Sequence, residues 1–81
     1  MRLLYFASLR DRLGCSGEEV PLPPAVDTVS GLLDWLRERD PALAALDGRR
    51  VRVAVNQRFA SPSDPVGADD EVALFPPVTG G

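Results

Sequence analysis

The sequence predicts an α+β domain, a twisted mixed sheet with one main helix laid across one face. Three observations carry this expectation. Val51, Val53 and Val55 alternate with Arg52 and Ala54, the period-two signature of a half-buried strand. Val29, Leu32, Leu33 and Leu36 fall at i, i+3, i+4 and i+7, a single apolar stripe of a helix. Strand-like runs lie on both sides of that one long helix, and strands mixed with one long helix suggest a twisted mixed sheet with the helix across one face.

The elements follow in order. Met1 to Ala7 is apolar, with Leu3, Leu4, Tyr5 and Phe6, and reads as a strand buried on both faces, or on one face plus an interface. Ser8 is the expected cap of a short helix through Leu13, and Gly14 its left-handed terminator. Cys15 to Gly17 form a turn. Glu18 to Pro23 read as an edge strand, because Pro21 and Pro23 cannot donate to a ladder. Thr28 is the expected N-cap of the main helix, and Asp40-Pro41 its end, since the residue before proline is driven out of the α region. Asp40 also suits a second short helical turn, with Pro41 at its first position and Gly48 after it. Gly31 costs the helix about 1 kcal/mol relative to alanine, and close packing on the sheet is one use for it. Asn56-Gln57-Arg58 turn the chain into a short strand around Phe59. Ser61 to Gly67 are loop, and Asp69-Asp70 form a solvated turn before a last strand, Glu71 to Phe75.

Size and composition narrow the function classes. Eighty-one residues suit a single domain spanning 1–81, with a flexible tail from 76 to 81. About 60–65% of the unfolded surface can be buried at this length. One cysteine, Cys15, excludes an internal disulfide, and its expected role is that of an incidental small residue in a turn. The chain has no histidine and no CxxC pair, so no metal site is expected. The first residues are too short for a signal segment, and no apolar run approaches the ~18 residues that span a bilayer. The expectation is a cytoplasmic chain with no membrane contact. All nine basic residues are arginine and the net charge is −3. Nucleic-acid binding is therefore not expected, because phosphate contacts dominate that affinity. Arg50 and Arg52 fall on one side with Ala54 and read as a solvated face. Trp35 lies off the helical stripe and is expected to pack at the sheet's edge.

Strand parity locates a candidate partner surface. In the last strand Val72 and Leu74 point one way, while Glu71, Ala73 and Phe75 point the other. In the first, Met1, Leu3 and Tyr5 oppose Arg2, Leu4 and Phe6. The helix covers only one face. If the two strands are neighbours, Leu4, Phe6, Ala73 and Phe75 form an exposed apolar patch on the other, the kind of patch that marks a partner surface. Phe59 either extends this patch or plugs the core.

The run that follows is the most specific feature. Pro76-Pro77 stop the last strand, and Val78-Thr79-Gly80-Gly81 follow. Glycine has no Cβ, so such a tail can thread a narrow tunnel and present a terminal carboxylate to chemistry in a partner's site. The run Asp70-Glu71-Val72-Ala73-Leu74-Phe75-Pro76-Pro77-Val78-Thr79-Gly80-Gly81 resembles the C-terminus of the ThiS–MoaD family, and within it the MoaD small subunits of molybdopterin synthase. Leu4-Tyr5-Phe6-Ala7-Ser8-Leu9-Arg10 and Ala54-Val55-Asn56-Gln57 resemble the same family. The resemblance covers essentially the whole chain.

That resemblance implies a β-grasp, ubiquitin-like fold. It implies that Gly81 is adenylated by an ATP-using activating enzyme of the MoeB type and converted by a sulfur donor to a thiocarboxylate. No cofactor is implied on the chain. Val78, Thr79 and Gly80 would enter a large subunit of the MoaE type, where sulfur passes to cyclic pyranopterin monophosphate. Phe6, Phe59 and Phe75 would be apolar contacts with that subunit, and Arg10 a polar one. Two alternatives stay open: a related sulfur carrier feeding thiamin, cysteine or tRNA thiolation, and a ubiquitin-like protein modifier.

Overall fold

Alternation of apolar residues along three strands builds the sheet. The computed structural model describes residues 1–40, 43 and 51–76. Its elements are β1 (Arg2–Tyr5), α1 (Ala7–Leu13), β2 (Gly17–Glu19), α2 (Val29–Arg39), β3 (Arg52–Val55), β4 (Arg58–Phe59) and β5 (Glu71–Phe75). The expected turn from Asp40 to Gly48, Arg49 and Arg50, and the tail residues Val78, Thr79, Gly80 and Gly81 lie outside the described residues, apart from Asp40 and Leu43. Among the described residues no helix is long and apolar enough to cross a membrane.

The five strands lie in the order β2-β1-β5-β3-β4. The central pair, β1 and β5, is parallel, with Leu3 opposite Val72 and Tyr5 opposite Leu74. The pairs β1–β2, β3–β5 and β3–β4 are antiparallel. This order, with a helix across one face, is the β-grasp arrangement. One face of the sheet is closed by α2, whose Val29, Leu32, Leu33 and Leu36 join Leu3, Tyr5, Val53, Val72 and Leu74 in one apolar cluster. Each such side chain contributes about 1.5–3 kcal/mol through removal from water. β1 is thus buried on one face and open on the other, not buried on both.

Local chemistry sets the helix ends. The Thr28 side chain accepts from the Gly31 N–H at 3.1 Å, the N-cap expected from sequence. Two further first-turn amides, those of Val29 and Ser30, donate to the carbonyls of Asp64 and Pro62 in the loop before β5. That loop satisfies groups a helix start leaves unpaired. Gly14 ends α1 at φ 74°, and its N–H donates to the Arg10 carbonyl. The β3–β4 turn places Asn56 and Gln57 at φ 51° and 69°. Asn56 offsets this strain: its side chain donates to Asp70 at 2.9 Å and accepts from the Glu71 N–H at 3.0 Å, pinning the turn to the start of β5.

Four expectations need correction. Ser8 does not cap α1. The Phe6 N–H still donates to the Leu74 carbonyl, so strand-like pairing runs to residue 6 and the chain turns at Ala7, φ 52°, with Phe6 at the N-cap position. The edge strand is Gly17–Glu19 and stops before Pro21 instead of reaching Pro23. A Cβ on Gly31 would meet Thr28 Oγ1 at 3.3 Å and Val26 at 3.9 Å, so its neighbours belong to the helix entry and not to the sheet. Asp70 is not simply solvated, because its carboxylate accepts from the Gly67 N–H and from Asn56.

Candidate functional site

The face of the sheet opposite α2 is built from the alternate residues of the same strands. Pairing β1 beside β5 sets Leu4 opposite Ala73, and pairing β3 beside β5 sets Ala54 opposite Ala73. Ala54 lies opposite Phe59 of β4. A row therefore runs from Leu4 through Ala73 and Ala54 to Phe59, flanked by Phe6 and Phe75. The small alanines leave a shallow floor between aromatic walls.

Three phenylalanines dominate this face. Phe6 and Phe75 stack with centroids 4.7 Å apart and planes 11° apart. Phe59 meets Phe75 in a tilted contact at 5.9 Å. Phe6 is 39% and Phe59 67% exposed, whereas every residue of the opposite face's core is nearly closed to water. Aromatic contacts of this kind are favourable beyond their area, so the rings present one preformed surface. Phe59 extends the patch and does not plug the core. Contiguous exposed aromatic surface is unusual on a small domain and marks an interaction surface.

Arg52 joins this group. It lies opposite Phe75 in the ladder and carries its guanidinium 4.9 Å from the Phe59 ring centre. Sequence reasoning placed Arg52 on the Ala54 side but read that side as merely solvated. The signal was present in the parity of β3; the missing knowledge was that Phe59 folds back beside it. Arg10 is exposed on α1, the helix that follows Phe6.

The patch adjoins the end of the central strand. Phe75 closes β5 and Pro76 follows. Gly81 lies six positions beyond Phe75. An extended segment of that length reaches no more than about 22 Å. Whatever holds the aromatic patch is therefore within reach of the final glycine.

On the helix side a second polar group ties three elements together. The buried Tyr5 donates from its hydroxyl to Glu18 at 3.0 Å, and Arg39 of α2 donates to the other Glu18 oxygen at 3.2 Å. Arg39 also lies over Trp35, 5.5 Å from the ring centre, which places Trp35 beside the β2 edge as expected. Burial, reinforced by the bond to Glu18, pushes the Tyr5 hydroxyl well above its ordinary value. The group clamps the edge strand and is remote from the aromatic face. Cys15 is half-buried against the core. Among the described residues no group of three or more His, Cys, Asp or Glu side chains is placed to hold a metal ion.

The described residues thus supply an aromatic face and a strand that ends just before the tail, without a nucleophile–base pair. Comparison with known families decides what such a chain is. A profile of the ThiS family matches residues 3–81. The chain belongs to the ThiS family. It is 38% identical over 84 residues to the molybdopterin synthase sulfur carrier subunit of Escherichia coli, covering 100% of this chain and 99% of that one. It is 38% identical over 82 residues to the protein of the same name from Mycobacterium tuberculosis, covering 100% and 96%. Among solved structures, SAMP1 from Haloferax volcanii superposes with a TM-score of 0.77 at 34% identity, covering 100% of this chain and 98% of that one. The β-grasp fold is shared across this ThiS-family comparison, as the sheet order requires.

Proposed function

We propose that this chain is the sulfur-carrier subunit of molybdopterin synthase and that its reactive group is the carboxylate of Gly81. One observation carries the reading: the exposed Phe6 and Phe59 pack against the half-buried Phe75, which ends the strand leading into Pro76-Pro77-Val78-Thr79-Gly80-Gly81. The full-length likeness to two proteins named as sulfur carrier subunits supports it.

The chemistry divides between the chain and its partners. A carboxylate does not transfer its oxygen readily. An activating enzyme of the MoeB type would let a Gly81 oxygen attack the α-phosphate of ATP, releasing pyrophosphate and leaving an acyl-adenylate. A donor of sulfide-level sulfur then attacks the acyl carbon, and AMP departs with the electron pair of the broken C–O bond. The product is a thiocarboxylate, an anionic sulfur nucleophile near neutral pH, as a thiolate is. In a MoaE-type large subunit that sulfur would pass to cyclic pyranopterin monophosphate. The acid and base groups belong to the partners, which agrees with a chain that has no histidine. On this reading the chain works in the cytoplasm, where an ATP-using activating enzyme would meet it.

The patch and the tail have separate tasks. Threading Val78, Thr79, Gly80 and Gly81 into a partner orders the segment and costs entropy. Desolvation of Phe6, Phe59 and Phe75, with Arg52 at the rim and Arg10 exposed on the following helix, offsets that cost. The test is intact-mass spectrometry after co-expression with the activating enzyme and sulfur donor. Replacement of one oxygen by sulfur at Gly81 is the expected result, and an unchanged mass with both partners active rejects the reading.

A second reading has its own support. SAMP1, a small archaeal modifier protein, shares the fold and about a third of the residues. On that reading Gly81 would be joined to amines of other proteins. Affinity capture separates the two: a pterin-synthase large subunit co-purifies in the first case, and covalent adducts of higher mass in the second.

A further inference from the structure

We propose that the fold makes this chain unable to accept its own activated C-terminus, so that one copy never becomes covalently joined to another. The inference rests on the carrier reading only in taking Gly81 as the group that is activated. Its structural basis is independent.

An acyl-adenylate is attacked by any available primary amine. The amine nitrogen bonds to the acyl carbon, the C–O bond to AMP breaks, AMP leaves with the electron pair, and the amine proton passes to solvent. The product is an amide and the carrier is lost. A β-grasp carrier in a crowded solution meets other copies of itself, so its own surface amines are the nearest hazard.

This chain presents none. It has no lysine at any position. Its nine basic residues are arginines, whose guanidinium groups stay protonated and do not attack acyl carbon. The remaining primary amine in this 81-residue sequence is the α-amino group of Met1, and the sheet holds it. Met1 is 7% exposed. Its ammonium donates to the Val20 carbonyl at 3.0 Å in a buried bond, while the Val20 N–H donates back to the Met1 carbonyl at 2.9 Å. Met1 is thus the terminal rung of the β1–β2 ladder. To attack an acyl group the nitrogen must lose its proton, break this pairing and leave the core, which requires local opening of the sheet edge.

The same geometry constrains the modifier reading. A chain with no accessible amine can be attached to another protein but cannot receive a second copy, so any conjugates carry no chains of one copy built on another. Cys15 offers a thiol, but its product would be a thioester, which free thiols reverse.

Two measurements on the intact chain test this. Labelling with an N-hydroxysuccinimide acetate reagent, followed by mass spectrometry, is expected to run on the order of 100-fold slower in the native protein than in guanidinium, because the amine reacts only on local opening. Carbodiimide with N-hydroxysuccinimide is then used to activate the carboxylates without any enzyme. The native chain is expected to remain free of covalent dimer, whereas Arg12→Lys, which sets an amine on the exposed outer side of α1, forms dimer under the same conditions. Rapid native labelling at Met1, or equal dimer in both proteins, overturns the proposal. Failure of an activating enzyme to adenylate Gly81 would instead count against the carrier reading and leave both results standing.

Discussion

Individual side chains on the two faces of the sheet have opposite duties, and substitution separates them. Phe59 is 67% exposed, so its removal deletes little buried area. Phe59→Ala is expected to shift unfolding free energy by no more than about 0.5 kcal/mol. It should nevertheless weaken binding to the large subunit by about 10- to 30-fold, as loss of an aromatic anchor does. Calorimetric titration against that subunit, alongside denaturant melts, reads both; a large stability loss would mean that Phe59 serves the core. Tyr5 behaves in the opposite way. Its hydroxyl is held neutral by burial and by Glu18, so its folded pKa lies above the unfolded value near 10. The stability this contributes is complete below pH 10 and falls as pH rises toward the folded pKa, because the unfolded chain releases the proton first. Tyr5 is the single tyrosine, so phenolate absorbance reports this one group. Its appearance should coincide with loss of helical ellipticity, and Tyr5→Phe should remove the alkaline dependence. Ionisation at an ordinary pKa in the native chain would contradict the burial argument.

Secondary elements are terminated and joined by a few local devices whose strength can be measured. Thr28→Ala deletes the side-chain acceptor for the Gly31 amide and is expected to cost about 1 kcal/mol in urea melts. Gly14 and Gly17 make a more informative pair. At Gly14 a Cβ would meet nothing within 4 Å, and only the φ of 74° opposes it, so Gly14→Ala should cost about 1 kcal/mol. At Gly17 a Cβ would lie 2.6 Å from the Leu3 carbonyl oxygen and 3.1 Å from Leu4, so β2 must shift away from β1. Gly17→Ala is expected to cost more than Gly14→Ala and to speed exchange of the Tyr5 amide, whose partner is the Ser16 carbonyl. Equal costs would show that the edge strand adjusts freely. These devices matter for function because β1 supplies Leu4 and leads into Phe6 on the docking face.

On the proposed function, the whole molecule divides its labour between a folded body and a reactive end. Among the described residues, the core cluster ends at Leu74 and the aromatic contacts of the opposite face end at Phe75. Deleting Gly81 is expected to leave the melting temperature unchanged within about 1 °C and the large subunit still bound, since a glycine has no side chain to bury in either surface. Sulfur transfer should fall to background in a reconstituted synthase, because the acyl carbon that carries sulfur is now attached to a different position along the tail. Retained transfer by the shortened chain would reject Gly81 as the carrier residue. The net charge of −3, with the exposed Arg52 beside the aromatic patch, further suits a partner whose mating surface is apolar at its centre and mixed in charge at its rim.

Much of this was legible along the chain because it depends on neighbours within a few positions. The i, i+3, i+4, i+7 stripe of α2, the Thr28 cap, the Gly14 terminator and the inside–outside alternation of β3 and β5 follow from backbone periodicity and local hydrogen bonding. The Gly-Gly run and its Phe-Pro-Pro-Val approach also stood out, because residues without bulk have few other uses at that place. What local chemistry left open required knowledge of which strands meet. The parallel β1–β5 pair joins residues some seventy positions apart, and it alone decides that Phe6 stacks on Phe75. The return of β4 alongside β3 settles Phe59 as a surface residue and brings it to Arg52. Continued pairing of Phe6 with Leu74 moved the start of α1 ahead of Ser8. Closure of the Met1 amine by Val20 arises in the same way. Each is a contact between distant segments, and its energy exists only once the sheet has closed.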